Sequence, residues 1–236
     1  MKKATPFLLV TLVLFSACKK EETRQIDSSY NPILAPGDFV NSTQLTNSYF
    51  QFEPGKKYVY EGQTDEGAER TEVERLDIAK TVMGITCVVV RDRVWLAGKL
   101  HEDTDDWFAQ DKGGNVWYMG EDVDNLNPDG SLKDHAGSWE AGVDGAKPGI
   151  NMLANPAVGN AYRQEYYFNE AEDQAEVLET GLTLTVPYGT FQNCIKTKEW
   201  TELEPDAFEY KFYAPGIGFI KSVSADGEET VLVGIQ

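Results

Sequence analysis

The chain has 236 residues, of which 39 are acidic and 21 are basic, and its formal net charge at neutral pH is −18. This excess of acid argues against binding to nucleic acid, or to anionic lipid headgroups through the globular part, because both require clustered lysine and arginine. It is compatible with solubility alone, with cationic ligands or with calcium.

The N-terminus has the pattern of a bacterial export signal. Two lysines precede an apolar core, Pro6 to Phe15, which is too short to cross the ~30 Å hydrocarbon layer as a permanent helix. The overlapping run Leu14-Phe15-Ser16-Ala17-Cys18 resembles the lipobox of bacterial lipoproteins. This resemblance implies that residues 1–17 are removed and that Cys18 becomes the lipid-bearing first residue, although an ordinary cleaved signal has a similar pattern.

A lipid on Cys18 would determine where the protein resides. Each buried methylene adds ~0.8 kcal/mol, so a multiply acylated cysteine anchors a protein firmly to a membrane. We therefore expect an extracytoplasmic protein anchored to the outer membrane of a bacterial envelope, on the periplasmic side or on the cell surface. The run Lys20-Glu21-Glu22 resembles a surface-exposure signal of some Bacteroidetes lipoproteins, but three charged residues in a tether also arise by chance.

Residues 18–50 are polar and predict a tether. From residue 51 onward, short runs of Val, Ile, Thr and aromatic residues are separated by turn residues, which is typical of β-strands. No segment predicts a long amphipathic helix. The predicted strands form a first series, Lys57–Gly62, Arg70–Val82, Thr86–Trp95, Asp106–Gln110 and Val116–Met119, and a second series, Ala161–Phe168, Ala175–Thr185, Phe191–Thr201, Phe208–Tyr213, Gly218–Ser224 and Glu229–Ile235.

The run from Asp106 to Glu121, DWFAQDKGGNVWYMGE, predicts a central β-hairpin. Two aromatic-rich arms flank a short glycine loop, which is the usual signature of a tight hairpin connection. Both faces of each arm carry apolar residues, so both faces of the hairpin must be covered. We therefore expect this hairpin in the middle of the fold.

The two series of strands suggest an internal duplication. Residues that recur at an offset of 104 are Gly55 with Gly159, Tyr58 with Tyr162, and Glu72-Val73 with Glu176-Val177, and Cys87 recurs as Cys194 after 107 residues. Such steady offsets are typical of a repeated unit, although β-meanders of similar length also align by chance.

This interpretation divides the mature chain into three parts: a first meander (51–121), an Asp-, Gly- and Pro-rich connector (122–154) and a second meander (155–236). The predicted fold class is all-β, with antiparallel meanders that form one curved sheet or partial barrel. We expect the connector to lie over the opening of that sheet.

Cys87 and Cys194 occupy matching places in the two series. An extracytoplasmic compartment is oxidising, so a disulfide between them is permitted. A bridge requires Cα atoms within ~7 Å of each other. Both cysteines have strand-forming neighbours, and buried free thiols are the alternative.

Three tryptophans are candidates for ligand binding. Trp139 is the one tryptophan of the connector, where it could anchor the loop or stack on a ligand. Trp95 and Trp200 lie at the ends of predicted strands and could contribute to a sugar-stacking surface.

A partial calcium-loop pattern begins in the connector. Asn125, Asn127 and Asp129 alternate as oxygen donors before a glycine turn, and Asp122 and Asp124 could add hard oxygen ligands. The acid expected at the last position of such a loop is missing. An ordinary Asn- and Asp-rich turn is therefore the alternative, and we predict no other cofactor.

The mature chain has no recognisable nucleophile, metalloprotease or phosphate-binding motif. Its two histidines, His101 and His135, stand in separate polar segments without evident partners. Carboxylates are the abundant catalytic material, and those near the central hairpin are Asp105, Asp106, Asp111, Glu121 and Asp122. A hydrolase would need two of them ~5–10 Å apart across a cleft.

Three runs, Asp106–Glu121, Ser138–Ile150 and Tyr213–Lys221, resemble those of an uncharacterised family of bacterial secreted lipoproteins. The resemblance covers most of the chain after residue 50 and implies no activity. The Ala-Pro-Gly-x-Gly ending and the meander resemble, less closely, open half-barrel envelope proteins such as the Lol-type lipoprotein carriers. That second resemblance implies a concave sheet that could shelter an acyl chain.

The first functional hypothesis is a non-catalytic envelope protein, attached to the membrane through Cys18, that binds a hydrophobic ligand or another envelope component in a concave β surface. The second is a surface glycan-binding lipoprotein that uses exposed tryptophans. The third is a carboxylate-based extracellular hydrolase.

Overall fold

The computed structural model describes residues 27–204 and 206–236. The predicted signal peptide, Cys18 and the Lys20-Glu21-Glu22 run lie outside this part of the chain. In sequence order, the elements are a 3-10 turn, Pro36–Asp38, and the strands β1 (Lys57–Thr64), β2 (Gly67–Val82), β3 (Ile85–Leu96), β4 (Lys99–Gln110), β5 (Val116–Leu126), β6 (Leu132–Asp134), β7 (Trp139–Glu140), β8 (Lys147–Met152), β9 (Ala161–Arg163), β10 (Glu165–Tyr166), β11 (Asp173–Val186), β12 (Gly189–Thr201), β13 (Phe208–Ala214), β14 (Gly218–Ser224) and β15 (Glu229–Ile235). No described helix is long and apolar enough to span a bilayer.

Thirteen strands form one antiparallel path in the order β10-β8-β5-β4-β3-β2-β1-β15-β14-β13-β12-β11-β9, and β6 and β7 pair with β5 beside it. Most neighbours are consecutive hairpin partners, as the short turns of the sequence predict. The predicted all-β class, with antiparallel meanders that form a partial barrel, is confirmed.

One short segment nearly closes this sheet. Strand β9 pairs with β11, and two residues later β10 pairs with β8 at the opposite end of the path. The chain bends between them at Gln164. The predicted strand Ala161–Phe168 is therefore split into two short strands, each of which pairs with a different end of the sheet. Because both edges are paired, the sheet encloses an interior.

The apolar residues form two cores on opposite faces of the sheet. The lumen core lies inside the curved sheet, since it takes residues from both meanders: Phe50, Tyr58, Tyr60, Val73, Val88, Val90, Phe108, Val116, Met152, Val186, Cys194, Ile195, Tyr213, Ala214, Ile220 and Leu232. The outer core covers the other face of β2 to β5: Phe39, Val82, Ile85, Cys87, Val89, Trp107, Ala109, Met119, Trp139, Ala141, Ala146 and Ala171.

The predicted central hairpin is β4–β5, and both of its faces are covered. Phe108 and Val116 lie in the lumen core, whereas Trp107, Ala109 and Met119 lie in the outer core. Strand β4 begins at Lys99, earlier than the sequence predicts, because its first half is rich in charged residues that give no apolar alternation.

The second half of the predicted tether is packed against the sheet. Phe50 is buried in the lumen core, with Leu45, Tyr49 and Phe52 against it, and Phe39 is buried in the outer core. Polar contacts also hold this segment to the sheet: the side-chain oxygen of Gln110 accepts hydrogen bonds from the backbone N–H groups of residues 46 and 47, at 2.7 and 2.9 Å. The lead-in, residues 34–52, therefore belongs to the folded domain.

The connector also differs from the prediction. It contains β6, β7 and β8, all of which pair with β5, so residues 147–152 are part of the sheet. Trp139, Ala141 and Ala146 pack in the outer core, so this part of the connector covers the outer face. Residues of the lead-in pack over the lumen instead.

The two halves have the same strand order, a five-stranded meander followed by one more strand that pairs across to the other half. Registers also correspond, since Val90 faces Asp106 across β3–β4 and Thr197 faces Lys211 across β12–β13. The duplication stays a prediction that these registers support.

We predict that Gly149→Ala destabilises the fold where β8 pairs with β10. A Cβ at this position would lie 2.2 Å from the carbonyl carbon of Gln164, which is backbone and cannot move aside easily. The free energy of unfolding should fall by roughly 1–3 kcal/mol in chemical denaturation, as overpacked interiors do.

The matched control is Gly234→Ala in β15. Its Cβ would meet nothing within 4 Å, so its free energy of unfolding should change by less than about 0.5 kcal/mol. Equal stability of the two variants would show that the close approach at Gly149 does not constrain the β8–β10 pairing.

Candidate functional site

The lumen is not completely filled. A cavity of about 290 Å³ remains inside the curved sheet. Residues from both meanders and from the lead-in line it: Phe50, Phe52, Tyr60, Val73, Val90, Asp92, Asp106, Phe108, Tyr118, Asn151, Gln164, Glu199, Lys211, Tyr213, Gly218 and Phe219. This volume is at the lower end of the range for small-molecule sites.

Aromatic rings form one part of the cavity wall. Phe50 packs on Phe108 with ring centroids 4.7 Å apart, and Phe108 stacks on Tyr118 at 4.8 Å. Tyr60 and Phe219 form a second pair at 5.0 Å. Rings held by one another in this way give a rigid apolar surface on which a flat or aliphatic group can pack.

The second meander contributes a charge pair to the cavity. Glu199 of β12 lies 3.0 Å from the ammonium of Lys211 on β13, and its Oε1 accepts from the Tyr213 hydroxyl at 2.7 Å. Thr197 and Gln164 also donate to this carboxylate, at 2.8 and 3.2 Å. Burial alone would raise the pKa of Glu199, but Lys211 and these donors hold it below its ordinary value.

The first meander contributes two acids, Asp92 and Asp106, that form no ion pair with any described residue. Asp106 of β4 accepts from the Tyr118 hydroxyl at 2.5 Å. On β3, the Oδ1 atom of Asp92 is shielded from solvent and has no hydrogen-bond partner among the described residues.

The environment favours the protonated form of both acids. Burial, followed by the nearby Asp106 and Glu102, raises the pKa of Asp92 well above its ordinary range. Burial raises the pKa of Asp106 to about 7, although the hydrogen bond from Tyr118 acts in the opposite direction. Protonated carboxyls of this kind can both donate and accept hydrogen bonds toward a bound molecule.

Two further acids lie near Tyr118: Glu121 on β5 and Glu165 on β10. The indole N–H of Trp139 donates to Glu121 at 3.1 Å, and its ring packs edge-on against Tyr118 at 5.3 Å. Burial, with nearby acids, raises the pKa of Glu121 to about 9 and that of Glu165 to about 8. We refer to Glu121 and Glu165 as the seam acids.

The tryptophans proposed as ligand contacts are not brought together. Trp139 is 4% exposed, and its ring is covered in the outer core, which leaves no free face for an external ligand. Trp95 on β3 and Trp200 on β12 are half-buried, and each lies near a cation of its own strand, Arg93 and Lys198.

The predicted calcium ligands do not converge either. Asn125 donates to Asp134, Asn127 donates to Ser131, and Asp129 accepts from Ser131. Asp122 and Asp124 lie instead in an exposed cleft beside the ion pair of Arg91 and Asp103. The described residues contain no group of three or more acids, histidines or cysteines arranged to hold a metal.

The proposed disulfide is not present. Both thiols are free and buried, with Cys87 in the outer core and Cys194 in the lumen core. The residue before Cys194, Asn193, has a positive φ of 57°, which breaks the strand alternation there. The two cysteines therefore face opposite sides of the sheet and cannot meet.

Of the acids near the hairpin, the structure places only Asp106 in the cavity wall and Glu121 among the seam acids. Asp111 binds the hairpin loop, since its carboxylate accepts from the Asn115 backbone and from the Trp117 indole, each at 3.0 Å. Four residues of the cavity wall were not predicted from the sequence as functional candidates: Asp92, Glu199, Lys211 and Tyr213. For Asp92, Glu199 and Lys211, the one signal was a charged residue at an inward-facing position of a strand.

We predict that Glu121→Gln makes the protein less sensitive to alkaline pH. Between the ordinary pKa of 4.5 and about 9, folded Glu121 binds more protons than unfolded Glu121, so its contribution to the free energy of unfolding falls as pH rises. A neutral glutamine removes this dependence while it can still accept from Trp139. The variant should exceed the wild type by roughly 1 kcal/mol or more at pH 9 and by much less at pH 4.5.

Chemical denaturation at several pH values measures this difference. The exposed neighbour Asp122→Asn is the control, and its difference from the wild type should stay constant between pH 4.5 and 9. Parallel curves for Glu121→Gln and the wild type would contradict the proton uptake assigned to Glu121.

Comparisons with known proteins give little beyond this geometry. No protein-family model matches the chain, and no curated protein matches it. The chain is similar to a solved crystal structure from Parabacteroides distasonis ATCC 8503 that is named as a candidate lipoprotein, with 14% sequence identity, a TM-score of 0.46, and coverage of 80% of this chain and 99% of that chain. A similarity at this level transfers neither a family nor an activity, so the function has to be argued from the cavity itself.

Proposed function

We propose that this protein is an extracytoplasmic, lipid-anchored binding protein that holds a small, partly apolar molecule in the lumen of its curved sheet. The single observation that carries the proposal is the cavity of about 290 Å³, whose wall combines aromatic rings with a small number of charged side chains. Small-molecule sites combine a mostly apolar wall with a few placed polar groups in this way.

The size of the cavity narrows the choice among the hypotheses for the ligand. Side chains fill most of the interior, and the remaining space is too small for a strand or loop of another envelope protein. It suits a molecule of modest size better than a lipid with several acyl chains.

The location of the protein is argued from the sequence. The lipobox-like run that ends at Cys18 supports removal of residues 1–17 and attachment of lipid. The expected side is the outer membrane, facing the periplasm or the cell surface. Mass spectrometry of the mature N-terminus tests this part, and an unmodified Cys18 in the mature protein would contradict it.

We predict that the protein binds small aryl-alkyl molecules in the lumen. The probes are 2-phenylethylammonium, 2-phenylethanol and 3-phenylpropionate, which share one ring and differ in charge. Ligand-observed NMR and calorimetry should detect binding of at least one probe. Asn151→Phe, which puts a ring into the cavity from β8, should weaken that binding at least about tenfold by occupying the site.

The control for this variant is Asn155→Phe, at an exposed position just after β8. It should bind the probes as the wild type does. Failure of all three probes to bind, or equal binding by folded Asn151→Phe and wild-type protein, would contradict a lumen site.

A second candidate function is hydrolysis by carboxylates. Two acids that line one cavity have opposite pKa shifts, with Asp106 raised to about 7 and Glu199 lowered. In a hydrolase of this kind, Asp106 would be the general acid and Glu199 the ionised carboxylate. Turnover of 4-nitrophenyl glycosides that falls at least about 100-fold in Asp106→Asn would support it, and a wild-type protein without turnover would contradict it for these substrates.

A further inference from the structure

The two meanders place different charges at corresponding positions of the lumen. In β12–β13, Thr197 faces Lys211 and Glu199 faces Glu209; in β3–β4, Val90 faces Asp106 and Asp92 faces Thr104. Asp92 therefore corresponds in register to Glu199, and Asp106 corresponds to Lys211. All four of these charged residues line the same cavity.

In the second meander, the carboxylate and the cation satisfy each other. Glu199 is 7% exposed and accepts from four donors, one of which is the Lys211 ammonium at 3.0 Å. A buried charge is tolerated when it is paired and hydrogen-bonded in this way. Among the described residues of the second meander that line the cavity, none has a buried side-chain N or O atom without a hydrogen-bond partner.

In the first meander, Asp106 occupies the position that corresponds to Lys211. Asp106 has one described donor, the Tyr118 hydroxyl, and Asp92 Oδ1 has none. The neighbouring cation Arg93 does not compensate these acids, because it bonds to Glu72 and Glu74 of β2. Asp92 and Asp106 both line the cavity, so a molecule inside it would contact two carboxyl groups that form no described ion pair.

On this basis we propose that the lumen selects a ligand with a cationic nitrogen, an ammonium or an amidinium, which binds between Asp92 and Asp106 while its apolar part packs on the aromatic wall. This inference rests on the proposed lumen site and assigns the chemical class of its ligand. The ligand cation would take the place that Lys211 has in the second meander.

The aromatic wall agrees with this assignment. Phe50 packs edge-on against Phe108, and Phe108 stacks on Tyr118, which is bonded to Asp106. Ring faces attract cations within about 6 Å, and more strongly where water is excluded. A neutral molecule would gain the apolar contacts but would leave the carboxyls without a counter-charge.

Binding of a cation should be coupled to proton release. The titratable groups near Asp92 are Asp106, Glu102, Glu69 and Lys211. Those near Asp106 are Glu102, Tyr118 and the seam acids, and Asp105 is its neighbour in sequence on the opposite face of β4. Most of these are acids, so burial and repulsion keep part of the pair protonated in the empty cavity. A cation favours the ionised carboxylates, and its affinity should therefore rise with pH between about 5 and 8.

The test is calorimetry with the three aryl-alkyl probes on the full mature domain. 2-Phenylethylammonium should bind at least about tenfold more tightly than 2-phenylethanol, as expected for one charge-assisted hydrogen bond. 3-Phenylpropionate should bind more weakly than both. Titrations in phosphate and in Tris at pH 7 should differ in apparent enthalpy, because protons released on binding are taken up by the buffer.

Asp92→Asn and Asp106→Asn should each reduce the affinity for 2-phenylethylammonium at least about tenfold, with little change for 2-phenylethanol. Asp105→Asn is the matched control, since it is the adjacent residue of β4 and lies in the exposed cleft on the opposite face. It should change neither affinity by more than about twofold.

The outcomes separate the two proposals. If 2-phenylethanol or 3-phenylpropionate binds the wild type as tightly as the cation, the lumen site stands and the charge preference is wrong. If none of the three probes binds, the lumen site itself is contradicted. The preference of the wild type is measured without any variant, so the test does not depend on whether the asparagine variants fold.

Discussion

Closure of the sheet is the constraint on which the rest of this structure depends. Pairing of β1 with β15 joins the two meanders, and pairing of β10 with β8 holds the far ends of the path together, so the sheet is nearly closed. A closed wall creates an inside that must be filled by the inward residues of each strand. Large aromatic residues fill most of it, and the short segment 161–166 holds the last seam through two different partners.

Closure also determines which polar groups are costly. An inward carboxylate on an open sheet would meet water, whereas in the lumen it must find donors or take up a proton. Glu199 finds four donors within its own meander, whereas Asp106 has one described donor and Asp92 Oδ1 has none. A carboxyl kept in this environment without a partner lowers stability, which is common where a protein binds something.

Tyr118 connects the outer core to the lumen core. Tyr118 packs against both cores and donates to Asp106, and Trp139 packs on its edge while bonding to Glu121. The cavity wall and the connector therefore share a network of buried acids. Changes in the charge of the seam acids act on the residues that hold Asp106 in place.

The sequence by itself determined the class of the fold, the positions of most strands and the two-sided burial of the β4–β5 hairpin. Those features follow from the local pattern of apolar and polar residues and from turn residues, which can be recognised in each segment without knowledge of the rest of the chain. Only the tertiary structure decided that β8 joins the sheet, that the lead-in packs over the lumen, and that Cys87 and Cys194 face opposite sides. It alone brought Asp92, Asp106, Glu199 and Lys211 to one cavity. The physical reason is that these outcomes depend on register and closure, which relate residues a hundred positions apart and leave no local pattern.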